Sequence, residues 1–68
     1  MFKISLEAAR VNAGLSQKEV AKALGVSNKT VSSWENGKTF PSFEKINKLC
    51  DLYSVPFDNL NFLPSHSL

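Results

Sequence analysis

The side chains best suited to recognition chemistry lie close together: Asn28, Lys29, Ser32, Ser33, Asn36 and Lys38. They are amides, hydroxyls and amines, which donate and accept hydrogen bonds without reacting. Such groups can bond base edges and phosphates. At about 100° per residue, Asn28, Lys29, Ser32, Ser33 and Asn36 fall within one arc of roughly 140°, while Val31 and Trp34 point the other way. A solvated helix normally mixes acids and bases on its outer face. This arc is nearly free of carboxylates, as a surface meant for DNA would be.

The segment that must position these groups runs from Leu15 to Lys38, LSQKEVAKALGVSNKTVSSWENGK. Its composition predicts two short helices and a tight turn. In Ser16-Gln17-Lys18-Glu19 the serine hydroxyl can accept from a free backbone N–H while Glu19 reaches back, a reciprocal capping box. That helix should run from about Gln17 to Leu24 and stop at Gly25, where a missing Cβ permits the left-handed conformation. Ser27 can cap a second helix from about Asn28 to Asn36, which Gly37 closes in the same way. Two capped helices about three residues apart make a helix-turn-helix.

The pattern Leu15-Ser16-Gln17, Glu19-Val20-Ala21, Leu24-Gly25-Val26-Ser27, Val31-Ser32-Ser33-Trp34-Glu35-Asn36-Gly37-Lys38 and Pro41 resembles the Cro/C1-type helix-turn-helix family (XRE family), to which lambdoid phage repressors belong. The resemblance covers about residues 5 to 60. It implies an all-α, lambda-repressor-like fold: a compact five-helix bundle whose second and third helices form the helix-turn-helix. Members of the family are mostly transcriptional repressors, phage switches and antitoxins. The glutamine matching Gln17 contacts the DNA backbone in the family, and residues matching Arg10 and Glu35 form an ion pair in some related phage repressors. Family members often carry a longer side chain at the Ser33 position.

Read residue by residue, the segment divides into base-reading and phosphate-binding candidates. Asn28 and Lys29 sit at the N-terminal end of the second of these helices, the recognition helix, the part that meets base edges when such a helix enters the major groove. An asparagine amide can pair with adenine N6/N7 and a lysine can donate to guanine O6/N7; the plainer alternative is that Asn28 assists the cap and Lys29 is solvated. Ser32 and Ser33 complete the base-reading set, although either hydroxyl could instead bond back to its own helix. Gln17 stands at the first position of its helix, where free N–H groups and the dipole favour a phosphate. Asn36 and Lys38 flank Gly37 where the chain would cross the sugar-phosphate backbone, and with Gln17 they form the phosphate set. Turn chemistry alone would also explain Asn36-Gly37.

Elsewhere the chain supplies the support. Leu6, Ala9, Arg10 and Ala13 keep helical spacing, with Ser5 as cap, Glu7 in the first turn and Gly14 as the stop. Arg10 on this inward face needs a partner; Glu35, equally inward beside Val31 and Trp34, answers it. Val20, Ala21 and Leu24 form the buried side of the next helix, with Lys18 and Lys22 exposed. Lys38 to Pro41 reads as a loop. Ser42 can cap a fourth helix to about Tyr53, with Phe43, Ile46, Leu49, Cys50 and Tyr53 in register. A fifth short helix is expected to start near Pro56 and to use Phe57 and Leu60 as its apolar face. Pro64 to Leu68, including His66, is expected to be a frayed tail. The expected organisation is one domain over 1–68, with a core of about 5–63.

The bulk properties are permissive. A chain of 68 residues buries only about 60% of the surface it exposes when unfolded. Eight basic against six acidic side chains give a net charge of +2, which allows a nucleic-acid partner without demanding one. The single Cys50 cannot form an intrachain disulfide, fits a reducing cytoplasm and reads as core filling. No long apolar run suggests a membrane span, and no metal-ligand spacing, nucleophile motif or phosphate-cradling glycine loop suggests an enzyme or a cofactor. His66 has no second ligand near it.

These readings converge on a sequence-specific regulator of double-stranded DNA, acting most economically as a repressor by occlusion. One recognition helix reads few base pairs, so a homodimer on an inverted repeat is expected, with Leu60, Phe62 and Leu63 as its candidate contact. Folding of Phe62 and Leu63 onto the domain's own core is the alternative for those residues. A different reading of the same fold is an antitoxin-like protein-interaction module, against which Asn28, Lys29 and Asn36 argue as a sole role.

Overall fold

A computed structural model describes residues 3–62. In chain order it contains β1 (Ile4–Ser5), α1 (Leu6–Asn12), α2 (Gln17–Leu24), α3 (Asn28–Glu35), α4 (Phe43–Tyr53), a 3-10 turn (Phe57–Asn59) and β2 (Leu60–Asn61).

Each α-helix begins at a serine whose hydroxyl accepts from a backbone N–H three residues on. Ser5 takes Ala8 at 3.1 Å, Ser16 takes Glu19 at 3.0 Å, Ser27 takes Thr30 at 3.1 Å and Ser42 takes Lys45 at 3.3 Å. At α2 the box closes, because the Ser16 N–H donates to Glu19 Oε1 at 2.8 Å. Such caps contribute typically about 1 kcal/mol each, a substantial share for helices of seven to eleven residues.

The helix ends are just as uniform. A left-handed residue follows each helix, and the next N–H donates to a carbonyl five positions back: Leu15 to Arg10, Val26 to Ala21, Lys38 to Ser33 and Val55 to Cys50. The turning residues are Gly14, Gly25 and Gly37 for the first three helices, but Ser54 (φ 56°) for α4. A side chain in this conformation is strained, and the structure places that strain where α4 hands over to the C-terminal segment.

Leu6, Ala9, Val20, Ala21, Leu24, Val31, Trp34, Leu49, Tyr53 and Leu60 form one buried cluster. Val20, Val31 and Leu49 are fully enclosed. Cys50 is half-buried against the cluster, and burial, then the neighbouring charge of Asp51, pushes its thiol pKa up. Among the described residues no helix is long and apolar enough to cross a membrane.

Two expectations are corrected. There are four α-helices, because the segment after Pro56 makes only one 3-10 turn, closed by the Asn59 N–H donating to the Pro56 carbonyl at 2.9 Å. It then extends, and Leu60–Asn61 pairs in parallel with Ile4–Ser5. The i, i+3 spacing of Phe57 and Leu60 fits a single tight turn as well as a helix. Pairing with β1 lets Leu60 enter the core while both short strands gain backbone partners. Phe57 and Phe43, assigned to apolar helix faces, are instead 53% and 75% exposed. The expected tail and Leu63 lie outside the described residues.

Candidate nucleic-acid interface

The recognition segment is held from behind by a polar joint. Arg10 Nε donates to Glu35 Oε2 at 2.7 Å and Nη2 reaches Oε1 at 3.4 Å, tying α1 to the last residue of α3. The two side chains are only 12% and 4% exposed. Arg10 Nη1 donates to the Leu15 carbonyl at 2.9 Å, and Gln17 Nε2 donates to Glu35 Oε1 at 2.8 Å. One carboxylate therefore gathers α1, the start of α2 and the end of α3. Bonding to Glu35 raises the Arg10 pKa against the opposing effect of burial. The Tyr53 phenol, buried close by, is pushed up to about 12, first by burial and then by the negative charge of Glu35, with Arg10 working the other way.

This joint sets what α3 can present. Val31 and Trp34 are buried, so the opposite arc faces outward. Asn28 and Lys29 are exposed at its N-terminal end, and Ser32 and Ser33 are half-buried further along. Asn36, the residue that ends α3, is exposed and donates through Nδ2 to Ser32 Oγ at 3.4 Å. Lys38 is exposed just past Gly37, with its backbone N–H fixed to the Ser33 carbonyl at 2.9 Å. No acidic residue lies in the first turn of α3. These six residues form one continuous strip of hydrogen-bonding groups along α3 and its exit loop.

Gln17 is placed differently from its neighbours in the phosphate set. It stands at the first position of α2 but is half-buried, with one amide hydrogen given to Glu35. An amide has a second N–H and a carbonyl oxygen, so this bond leaves capacity for another partner. The link to Glu35 spans 18 positions and has no counterpart in local spacing, which is why the sequence analysis missed it. Thr30 was missed as well: its hydroxyl lies 3.0 Å from Ser27 Oγ and joins the cap of α3. A serine cap followed three residues later by a second hydroxyl was the available signal.

The family model described as Helix-turn-helix matches residues 6–60. The chain is 37% identical over 60 residues to the cryptic phage CTXphi transcriptional repressor RstR of Vibrio cholerae, covering 88% of this chain and 54% of that protein. It is 34% identical over 59 residues to the HTH-type transcriptional activator BcrR of Enterococcus faecalis (87% and 29%). It is 38% identical over 55 residues to the HTH-type transcriptional regulator ImmR of Bacillus subtilis strain 168 (81% and 43%). The chain thus spans about half the length of these relatives or less. A match to the family model over most of its length, together with these relatives, makes the chain a member of the Cro/C1-type helix-turn-helix family.

Proposed function

We propose that this chain is a sequence-specific double-stranded DNA-binding regulator, most simply a repressor, that sets α3 into the major groove of an inverted-repeat operator. The observation that carries this reading is the strip along α3: amides, hydroxyls and lysines face outward while Arg10, Glu35 and Gln17 fix the helix from behind. Asn28, Lys29, Ser32 and Ser33 read bases in this arrangement. Gln17, Asn36 and Lys38 hold phosphates. A domain seated on a promoter excludes polymerase without further contacts, and the similar RstR is named a repressor. Two copies on one face of the duplex would place half-site centres about 34–36 Å apart.

The test begins by selecting bound duplexes from a random pool, followed by titration of variants against the selected site and its single-base changes. Asn28→Ala and Lys29→Ala should each cost about 1–3 kcal/mol on the preferred site and flatten the preference at one or two base pairs. Lys38→Ala should weaken all sequences alike and reduce the slope of log K against log salt by about one unit. Unchanged base preferences in the first two variants, with altered preferences in the third, would overturn this placement of α3.

A further inference from the structure

Glu35 does more in the polar joint than pair with Arg10. Its Oε1 accepts from Gln17 Nε2 at 2.8 Å and its Oε2 from Arg10 Nε at 2.7 Å, and with only 4% of the side chain exposed little water competes for either oxygen. An ionised carboxylate only accepts hydrogen bonds, and an amide donates only through its nitrogen. The Gln17 amide therefore has one orientation here, with its nitrogen towards Glu35. A phosphate oxygen likewise only accepts, so the second hydrogen on that nitrogen is the one group of the Gln17 amide that can serve it. We infer that Glu35 is a positioning residue for DNA binding: it holds Gln17 Nε2 so that the two hydrogens of this nitrogen bridge the Glu35 carboxylate and one DNA phosphate, an inference that rests on the phosphate contact proposed for Gln17 above.

The structure favours a bridge over a glutamine that swings free to reach DNA. Gln17 is half-buried and its amide is bonded without any DNA, so its side-chain freedom is lost on folding rather than on binding. Swinging away would take the short bond from Oε1 and leave it only Arg10 Nη2 at 3.4 Å, in a site nearly closed to water. A buried carboxylate oxygen stripped in this way keeps its desolvation cost without the compensating bond. Two acceptors that share one amide nitrogen stand about 5 Å apart, close enough for two anions to repel. Arg10 answers that repulsion, because its guanidinium is bonded to the same carboxylate and held to the Leu15 carbonyl at 2.9 Å. The joint thereby ties two proposed contacts together: the carboxylate at the end of α3, the base-reading helix, also sets the backbone contact at the start of α2.

The experiment uses the selected duplex with one phosphate at a time replaced by an uncharged methylphosphonate. It compares the full chain with Gln17→Ala, Lys38→Ala and the charge-balanced Arg10→Met/Glu35→Leu. For wild type, one phosphate should carry a penalty of roughly 10-fold that falls to within about twofold in Gln17→Ala, which identifies the Gln17 phosphate. In Arg10→Met/Glu35→Leu the penalty at that same phosphate should also fall to within about twofold, while the penalty at the phosphate identified by Lys38→Ala persists. A double variant that keeps the Gln17 penalty would overturn the bridge and leave the DNA reading standing. Equal loss of both penalties would show that Glu35 merely maintains the fold, and would overturn it too.

Because the double variant could fold poorly, NMR of wild type supplies a second readout. Coupling through the hydrogen bond between Gln17 Nε2 and the Glu35 carboxylate should be present in the free chain and persist when the preferred duplex is added, while the other hydrogen on Nε2 shifts. Disappearance of that coupling on DNA means that Gln17 releases Glu35 to reach the phosphate, and the inference is wrong. If wild type binds no duplex at all, the DNA reading fails and the bridge fails with it.

Discussion

The two ends of this domain are held by different kinds of force. Where α1, α2 and α3 meet, directional bonds of 2.7–2.9 Å converge from Arg10 and Gln17 on Glu35 and the Leu15 carbonyl. Where the chain closes, a two-residue parallel ladder and tilted phenylalanine rings do the holding. The first arrangement fixes angle as well as distance, because a guanidinium and a carboxylate lose most of their attraction when misaligned. Ring contacts keep their dispersion energy over a range of tilts. The helix proposed to meet base edges is the one that receives the first kind of support.

The largest expected effect breaks the directional end. Arg10→Met or Glu35→Leu alone should cost about 3–5 kcal/mol, since each strands a charge in a site with little solvent access, whereas the double substitution can approach neutrality. Thermal melts of the three variants decide this; small additive losses in the singles would show that the joint contributes little.

A second test of the same end uses pH. Free tyrosine ionises near 10 and Tyr53 in the fold at about 12, so the folded state retains a proton that the unfolded chain has released. The contribution is fully present below about pH 10 and is lost as pH rises towards 12, on the order of 2 kcal/mol. Denaturant titrations of wild type and Tyr53→Phe across this window should diverge in slope, the variant declining less. Parallel curves would mean that Tyr53 is not held neutral by its surroundings.

Gln17→Ala sharpens the comparison further. Loss of its bond to the Glu35 carboxylate should lower stability by about 1–2 kcal/mol, and loss of the proposed phosphate contact should weaken all DNA sequences alike with little change in salt slope. A binding loss with unaltered chemical denaturation would assign Gln17 to DNA alone. The smallest expected effect lies at the other end: Ser54→Gly should raise stability by up to about 1 kcal/mol by relieving the left-handed strain that closes α4. A lower denaturation midpoint would show that the serine contributes a bond outweighing that strain.

Much of the fold was legible because its signals are local. Ser16, Ser27 and Ser42 stand one position before their helices, and Gly14, Gly25 and Gly37 stand where the chain must turn left-handed. The outward arc from Asn28 to Asn36 follows from helical period alone once Val31 and Trp34 are known to be apolar. The pairing of Arg10 with Glu35 was suggested by two charges on inward faces, which cannot stay unpaired at low cost.

What local spacing could not decide was how distant segments meet. Phe57 and Leu60 have the same spacing in a helix as in one tight turn followed by a strand, and only the presence of Ile4–Ser5 alongside selects the second. Gln17 carries a free amide in any local view; the position of Glu35, brought near by the packing of α2 on α3, gives it a partner. Phe40, Phe57 and Phe62 come together from a loop and the chain's end, so no period connects them. Sequence by itself determined where helices start, stop and turn their faces, because those choices are settled within a few residues. Tertiary structure decided the ladder, the Gln17 bond and the ring cluster, because each depends on segments whose separation only the whole fold fixes.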